Sequence, residues 1–160
     1  MKFSARYIVR AASSQTYAPL EKAQVRCGAL IPLHKDGGYY VFLDPTDGKT
    51  ITISCTGYSD AEITPDPAGR STVYLTPKGA EPLPLEALAA ETTAAGASEI
   101  RAAFIGGFVP QVLDGCAIEA DGNKLTISAY DSISAAITTA EPLKRKLAKG
   151  SRIIITSKQG

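Results

Sequence analysis

The sequence predicts a mostly β protein in two parts joined by a linker rich in alanine and proline. Short runs of β-branched and aromatic residues recur through the first half, and turn residues separate them every ~8–12 positions. Alanine dominates the middle of the chain, and β-forming runs return after it. We therefore predict an antiparallel β-sandwich of about seven strands over residues 1–78, a linker over 79–100, and a small β-rich interaction lobe over 101–160.

The strands of the first part are predicted from alternation and from turn residues. In the clearest case Ile51, Ile53 and Cys55 fall on one face of a strand. Turns are predicted at Asp36–Gly38 and Asp44–Gly48, where aspartate and glycine supply the usual turn chemistry. The predicted strands are Tyr7–Arg10, Lys22–Ala29, Tyr39–Leu43, Thr50–Cys55, Ala61–Thr64 and Ser71–Leu75.

The middle of the chain is predicted to be a linker that contains a short helix. Alanine is the commonest residue between Ala80 and Ala103. Pro84–Glu91 combines leucine, alanine and glutamate with a proline at its start, which favours two helical turns. The alanine- and threonine-rich residues 92–98 that follow are typical of a flexible connection.

The last third is predicted to be β-rich, with a hairpin as its clearest element. The dipeptide Asp121-Gly122 lies between the β-forming runs Cys116–Glu119 and Lys124–Ser128, which is the pattern of a tight two-residue turn. Residues Glu141–Lys149 are predicted to form one or two helical turns. The other predicted strands are Arg101–Val109, Ser134–Thr139 and Arg152–Thr156.

Three motifs follow one another in the first half: Asp36–Leu43, Asp47–Ser54 and the pair Gly57-Tyr58. They combine a turn before an aromatic strand, a glycine turn before a threonine-rich strand, and a terminal Gly-Tyr. Upstream, Pro19–Val25 looks like the second strand of the same pattern, with proline and leucine, then alanine, then valine. In these motifs the chain resembles the carboxypeptidase regulatory-like domains, which belong to the transthyretin-like (prealbumin-like) β-sandwiches.

The resemblance covers Tyr7–Leu75 and implies both a fold and a role. It implies a transthyretin-like sandwich without catalytic residues, of the kind that spaces, docks or displays other domains. Cys55 and Thr56 stand where many members have small residues or proline, and the turn Ser13–Thr16 lacks the usual glycine. We find no such resemblance beyond residue 75.

The composition leaves few ways to build a catalytic or metal site. The chain carries 17 Lys and Arg against 16 Asp and Glu, with a single histidine and three cysteines. His34 is assigned to a surface loop, and Cys27, Cys55 and Cys116 are too dispersed for a zinc site or a disulfide framework. Whether Cys27 and Cys55 lie close enough to bond stays open. We therefore predict no enzyme activity, no metal and no cofactor.

The N-terminal segment shows no pattern of export. Arg6 and Arg10 interrupt its apolar residues, so it lacks the run of ~7–15 apolar residues of a secretory signal. No stretch approaches the ~18–20 apolar residues of a membrane-spanning helix. We expect a cytoplasmic protein that can become part of an assembled particle.

Two groups of residues are candidates for contacts with other molecules. Tyr39 and Tyr40 fall on opposite faces of a strand, so an exposed ring of either could stack on a sugar or another ligand. A cluster of cations near the C-terminus is suited to an acidic protein surface. The cluster consists of Lys144, Arg145, Lys146, Lys149 and Arg152.

From these observations we predict a non-catalytic structural or adaptor protein that makes protein–protein contacts in a larger assembly. A phage-tail-like or contractile-injection-like particle is one concrete class of such an assembly. The expected partners are other protein subunits, further copies of this chain included, and neither nucleic acid nor membrane. The alternative is a carbohydrate- or other ligand-binding β-sandwich module through Tyr39 or Tyr40.

Overall fold

The computed structural model describes residues 7–43, 49–105 and 109–157. Within these ranges the protein is built from β-strands and contains no α-helix. No helix of the described residues therefore has the length and hydrophobicity needed to cross a membrane. The predicted turn at Asp44–Gly48 and the end of the predicted strand Arg101–Val109 include residues outside the described ranges.

The chain divides into two compact units. Unit 1 comprises Met1–Ser14 and Ala18–Glu81, and unit 2 comprises Gln15–Tyr17 and Pro82–Gly160. The main division, between Glu81 and Pro82, falls within the stretch 79–100 that the sequence indicates as a linker, but residues 82–100 belong to unit 2. A second, unexpected division assigns the short segment 15–17 to the C-terminal unit.

The described residues of unit 1 form seven strands in two sheets. The strands are β1 (Tyr7–Ser13), β2 (Gln24–Cys27), β3 (Leu33–Lys35), β4 (Tyr39–Phe42), β5 (Ile51–Ser54), β6 (Ala61–Ile63) and β7 (Arg70–Leu75). One sheet has the order β3-β4-β1-β7 and the other the order β2-β5-β6. The predicted wholly antiparallel arrangement is wrong at one pair, because β1 and β7 run parallel. The five strands between them in sequence supply the long crossover that parallel neighbours need.

The two sheets of unit 1 contribute to one hydrophobic core. Alternate residues of the strands, such as Val9 in β1 and Val25 in β2, point into it, as the period of two requires. Ile51 and Ile53 of β5 are completely buried, which confirms the predicted inward face of that strand. Cys55, predicted on the same face, lies just beyond β5 and is only partly buried.

The assignment of His34 to a loop is wrong, because this residue lies in the edge strand β3. His34 pairs with Tyr40 of β4 in an antiparallel register. The turn between β3 and β4 contains Gly37 and Gly38, both with positive φ. A Cβ at Gly38 would lie 2.5 Å from the carbonyl oxygen of Ala11, so only glycine allows this close approach of β1.

Unit 2 is a closed, six-stranded antiparallel barrel. Its strands are β8 (Leu85–Ala89), β9 (Glu99–Phe104), β10 (Ala117–Ala120), β11 (Asn123–Asp131), β12 (Ala136–Thr139) and β13 (Arg152–Thr156). The order around the barrel is β10-β11-β12-β9-β8-β13, and β13 pairs with β10 to close it. Closure removes the unpaired edges that an open sheet would expose. The prediction that residues 101–160 are rich in β-strands is therefore confirmed, but the sequence did not predict that these strands close into a barrel.

The predicted helix at Pro84–Glu91 is wrong, because this segment contains strand β8. Ala87 and Ala89 point into the barrel, while Glu86 and Leu88 between them point to solvent. The interior of a six-stranded barrel is narrow and accepts alanine at these inward positions. Pairing with β9 and β13 thus overrides the helical propensity of alanine, leucine and glutamate.

The predicted hairpin around Asp121-Gly122 is confirmed. β10 and β11 pair in antiparallel register on either side of this turn. Asp121 and Gly122 have φ values of 52° and 82°, and two positive φ angles are what a type I′ turn requires. The helical turns predicted for Glu141–Lys149 are absent from the structure. Instead, the backbone of this segment forms hydrogen bonds with the loop between β8 and β9.

Candidate interaction surfaces of the barrel

Two loop segments of unit 2 repeat the same backbone structure. We call residues 89–97 the first arm and residues 143–151 the second arm. Gly96 donates to the carbonyl of Leu143 at 2.7 Å, and Gly150 donates to the carbonyl of Ala89 at 2.8 Å. Each residue of the first arm corresponds to one residue of the second arm, and the number of positions between the two is constant. In this correspondence the two hydrogen bonds join the same pair of positions, with the donor and acceptor arms exchanged. The corresponding residues are Ala89 and Leu143, Thr93 and Leu147, Ala94 and Ala148, Gly96 and Gly150, and Ala97 and Ser151.

The arms hold each other through reciprocal contacts. Thr93 and Leu147 exchange both of their backbone hydrogen bonds, at 2.8 and 2.9 Å. Leu143 donates to the carbonyl of Ala97, as Ala89 donates to that of Ser151 in the equivalent bond. The burial pattern is also shared, since Leu143 and Leu147 are buried like their counterparts Ala89 and Thr93. The sequence signal of this repeat is an Ala-X-Gly-small motif in each arm, which sequence analysis missed.

Four of the five predicted cations lie on the exposed positions of the second arm. Their backbone and burial match those of uncharged or acidic residues on the first arm. The second arm carries Lys144, Arg145, Lys146 and Lys149, and the first arm carries Ala90, Glu91, Thr92 and Ala95 at the equivalent positions. The fold of an arm therefore does not require positive charge.

Arg152, the fifth predicted cation, belongs to the barrel wall rather than to the second arm. It begins β13, and its guanidinium donates to the carboxylate of Glu86 on β8. This ion pair neutralises the charge of Arg152 locally. The structure thus brings four of the predicted cations together on the second arm. The fifth, Arg152, lies on the barrel wall, where its charge is paired with that of Glu86.

A buried asparagine anchors the second arm to the β10–β11 hairpin. Asn123 is completely buried at the start of β11. Its Oδ1 accepts hydrogen bonds from the backbone N–H groups of Lys144 and Arg145 at 2.9 and 3.0 Å, and its Nδ2 donates to the carbonyl of Arg145 at 3.2 Å. The sequence analysis assigned no role to Asn123, because no local pattern shows a partner so distant along the chain.

The opposite end of the barrel carries exposed apolar side chains. β8 begins and β9 and β13 end there, next to the turn between β11 and β12, as the register of these strands requires. We call this region the apolar end and define it by four residues. Their exposed fractions are 51% for Leu83, 53% for Ile105, 53% for Val109 and 98% for Ile133.

The turn that holds Ile133 is fixed by polar contacts. The Asp131 carboxylate accepts a hydrogen bond from the N–H of Ile133 at 2.9 Å, and this bond is the main cause that lowers the pKa of Asp131. The Arg101 guanidinium donates to the carbonyl of Ser134 at 3.3 Å. Ala135 completes the turn with a φ of 55°. The apolar side chain of Ile133 is therefore exposed on an ordered turn.

Tyr130 contacts the residues that precede Ile105 and follow Val109 of the apolar end. Its ring makes an edge-to-face contact with Phe104, with centroids 6.2 Å apart, and its hydroxyl donates to the carbonyl of Pro110 at 3.0 Å. Burial, and to a smaller extent the charge of Asp131, raises the pKa of Tyr130 to about 12. The neutral phenol is thus favoured in the folded protein.

We expect Tyr130 to make the stability of unit 2 decrease between about pH 10 and about pH 12. Below this window the Tyr130 hydroxyl is protonated in both the folded and the unfolded protein. Within the window the hydroxyl of the unfolded chain loses its proton first, and this ionisation stabilises the unfolded state. The free energy of unfolding should fall by about 1–2 kcal/mol more in the wild type than in Tyr130→Phe. Urea unfolding of both proteins at about pH 9 and about pH 11 measures this difference. Equal pH dependence of the two proteins would contradict the assignment.

The two candidate ligand-binding tyrosines are already engaged within unit 1. Tyr40 is only 4% exposed, and its hydroxyl donates to the carbonyl of Leu20 and accepts from the N–H of Ala23. Its ring is therefore not available for a sugar, which corrects the prediction for this residue. Tyr39 is partly buried, and the Arg10 guanidinium lies 4.6 Å from the centre of its ring.

The single imidazole contacts a carboxylate on the surface of unit 1. His34 Nε2 lies 3.3 Å from the carboxylate of Glu21. The same carboxylate accepts hydrogen bonds from the N–H groups of Gly37 and Gly38, and the bond from Gly37 is the largest cause that lowers the pKa of Glu21. These contacts fix the β3–β4 turn. They give His34 a structural role in unit 1.

The thiols and acidic groups form no evident metal site in the described part of the chain. No group of three or more His, Cys, Asp or Glu side chains lies close enough there to hold an ion. The three cysteines form no disulfide. Cys27 and Cys116 are buried, and burial raises the pKa of the Cys27 thiol. Cys55 is partly exposed in a polar cleft of about 240 Å³ beside Lys22 and Lys78.

A shallow groove of about 310 Å³ lies on the outer wall of the barrel, over β10, β11 and β13. Ala117 forms its floor between Thr126 and Thr156. His34, the one imidazole, lines neither this groove nor the cleft near Cys55. Among the described residues, the two surfaces that stand out are the second arm, for its concentrated positive charge, and the apolar end, for its exposed apolar side chains.

Comparisons of the chain with protein-family models, with curated proteins and with solved structures found no match.

Proposed function

We propose that this protein is a non-catalytic adaptor or structural subunit that joins other protein chains in a larger assembly. The observation that carries the proposal is the apolar end of unit 2, with Ile133 almost fully exposed on an ordered turn. Several large apolar side chains exposed at one end of a domain commonly mark a contact with another protein. The occupant that we assign to the apolar end is therefore a second protein chain of the assembly.

The physical argument for this contact is the gain from removing apolar surface from water. Fully burying one isoleucine side chain contributes about 1.5–3 kcal/mol. The Asp131 and Arg101 contacts already order the turn, so little conformational entropy is lost when Ile133 packs against a partner. Leu83, Ile105 and Val109 lie at the same end and extend the surface.

Unit 1 fits the same role as a spacer or display module. Its seven strands lie in two sheets around one core, which supports the transthyretin-like sandwich proposed from the motifs of Tyr7–Leu75. Such sandwiches act by holding other domains in place. We propose that assembly takes place in the cytoplasm. A phage-tail-like or contractile-injection-like particle is one class of assembly in which such a subunit would serve.

Site-specific photo-cross-linking in the cells that produce this protein tests the proposal. A photo-reactive amino acid at position 133 should give one discrete cross-linked protein product, identified by mass spectrometry. The same amino acid at Ser128, exposed on the barrel wall, is the matched control and should give none. Combining the probe at position 133 with Ile105→Asp and Val109→Asp should remove the product, because the contact would lose its apolar neighbours.

Three results would contradict the adaptor assignment. One is the absence of any product from position 133 in intact cells. Another is equal cross-linking from positions 133 and 128, which would indicate random collision. The third is a product from position 133 that Ile105→Asp and Val109→Asp leave unchanged.

A further inference from the structure

We propose that the second arm is a docking site for an acidic segment, rich in aspartate and glutamate, of a partner protein. The proposal rests on the adaptor function above, but it concerns the opposite end of the barrel. Its four cations are Lys144, Arg145, Lys146 and Lys149, all exposed. A short stretch of carboxylates is the complementary chemistry for this surface.

The first step of the argument is a comparison within the molecule. The first arm has the same backbone hydrogen bonds and the same burial pattern as the second arm. It achieves this with Ala90, Glu91, Thr92 and Ala95 in place of the four cations. Four like charges within six residues repel one another, so they oppose folding slightly rather than assist it. Because one arm forms without them, an external partner explains the three lysines, whereas the Arg145 side chain also lies against Gly122 in the β10–β11 turn.

The second step is the rigidity of the second arm. Leu143 and Leu147 are buried at its beginning and centre, and the Asn123 side chain makes three hydrogen bonds to its backbone. Lys144, Arg145 and Lys146 lie between the two leucine anchors. The backbone positions of these cations are thus set before a partner arrives, which lowers the entropy lost on binding.

The third step distinguishes an acidic protein segment from a nucleic acid. Carboxylates border the second arm: Asp121 accepts a hydrogen bond from Ser151, Glu141 accepts one from the N–H of Thr126, and Glu91 lies on the first arm. A phosphate backbone that continued beyond the four cations would meet these charges. Neither arm contains an aromatic residue on which bases could stack. A short acidic segment can contact the four cations without extending to the carboxylates that surround them.

Two variants with the same change in net charge test the proposal. Lys144→Ala/Lys146→Ala/Lys149→Ala removes charge from the second arm. The matched control is Lys22→Ala/Lys35→Ala/Lys78→Ala, which lowers the net charge equally by removing three exposed lysines of unit 1. The probe is a fluorescein-labelled oligoglutamate peptide, and binding is measured by fluorescence anisotropy at about 0.15 M salt, where charges beyond ~8 Å are screened.

We expect the wild type to bind the peptide and the second-arm variant to bind it at least about tenfold more weakly. The control variant should bind within about twofold of the wild type, because all four cations of the second arm remain in place. If the second-arm alanine variant fails to fold, the lysine-to-glutamine triple variant, which retains long polar side chains, takes its place.

The proposal is overturned if the wild type does not bind the peptide or if both variants weaken binding equally. It is also overturned if duplex DNA of matched charge competes at lower concentration than the peptide, because the arm then prefers a nucleic acid. Cross-linking at position 133 is a separate readout at the apolar end. Its loss with peptide binding intact contradicts the adaptor function alone, and the reverse result contradicts only the docking site.

Discussion

Replacing Tyr17 with alanine is expected to destabilise unit 2 by about 3–5 kcal/mol. The Tyr17 side chain is completely buried and is one of the largest such side chains in the described residues. Its hydroxyl donates to the carbonyl of Leu83 at 2.6 Å and accepts from the N–H of Ser157 at 3.2 Å. Its own carbonyl accepts from the N–H groups of Gln111 and Val112. One residue thus links three distant segments of unit 2, and the alanine variant leaves a cavity between them.

The variant Tyr17→Phe separates the packing of the ring from the hydrogen bonds of the hydroxyl. It keeps the ring and should destabilise unit 2 by only about 1–2 kcal/mol. Hydrogen exchange at the barrel amides of Ile127 and Ile155, combined with urea unfolding, measures the effect within unit 2. Wild-type protection of these amides in Tyr17→Ala would show that the residue does not hold the barrel.

The sequence predicted those elements whose inward side chains are large. Arg152–Thr156 was predicted with the observed bounds, because three isoleucines lie between two polar residues in a dense β-forming run. Strand β8 was predicted as a helix, because its inward residues are Ala87 and Ala89. Alanine carries little hydrophobic contrast, so the period of two is visible only when the barrel is known. The narrow interior that selects alanine is a property of the closed sheet and not of the segment.

Long-range partners explain the remaining differences between prediction and structure. His34 lies in a strand because β4 pairs with it, although its position just before the turn Asp36–Gly38 indicated a surface loop. The segment around Tyr17 joins unit 2 through contacts with residues 66 and 140 positions away, for which no local pattern exists. The cation cluster was predicted from charge alone, whereas its arm required the pairing with residues 89–97.

Replacing Asn123 with alanine is expected to destabilise unit 2 by about 2–4 kcal/mol and to release the second arm. The change removes the acceptor of the Lys144 and Arg145 N–H groups and the donor to the Arg145 carbonyl. These backbone groups would then need water in a site where Asn123 is now completely buried. Hydrogen exchange at the amides of Lys144 and Arg145 should increase, while that of the first arm should change less. Unchanged exchange at both amides would contradict the anchoring role.

The variant Asn123→Asp keeps the acceptor of the two N–H groups, but it replaces the donor with a carboxylate oxygen that faces the Arg145 carbonyl and carries charge in a buried site. It should be less stable than the wild type, because the lost donor and the buried charge both oppose folding. Asn123→Ala also tests why the second arm binds, since all four cations remain on it. If a fixed arrangement of charge matters, peptide affinity should fall by about threefold or more although net charge is constant. If affinity is unchanged while the amides of the arm exchange faster, then charge density alone drives binding and the rigidity of the arm contributes nothing to it.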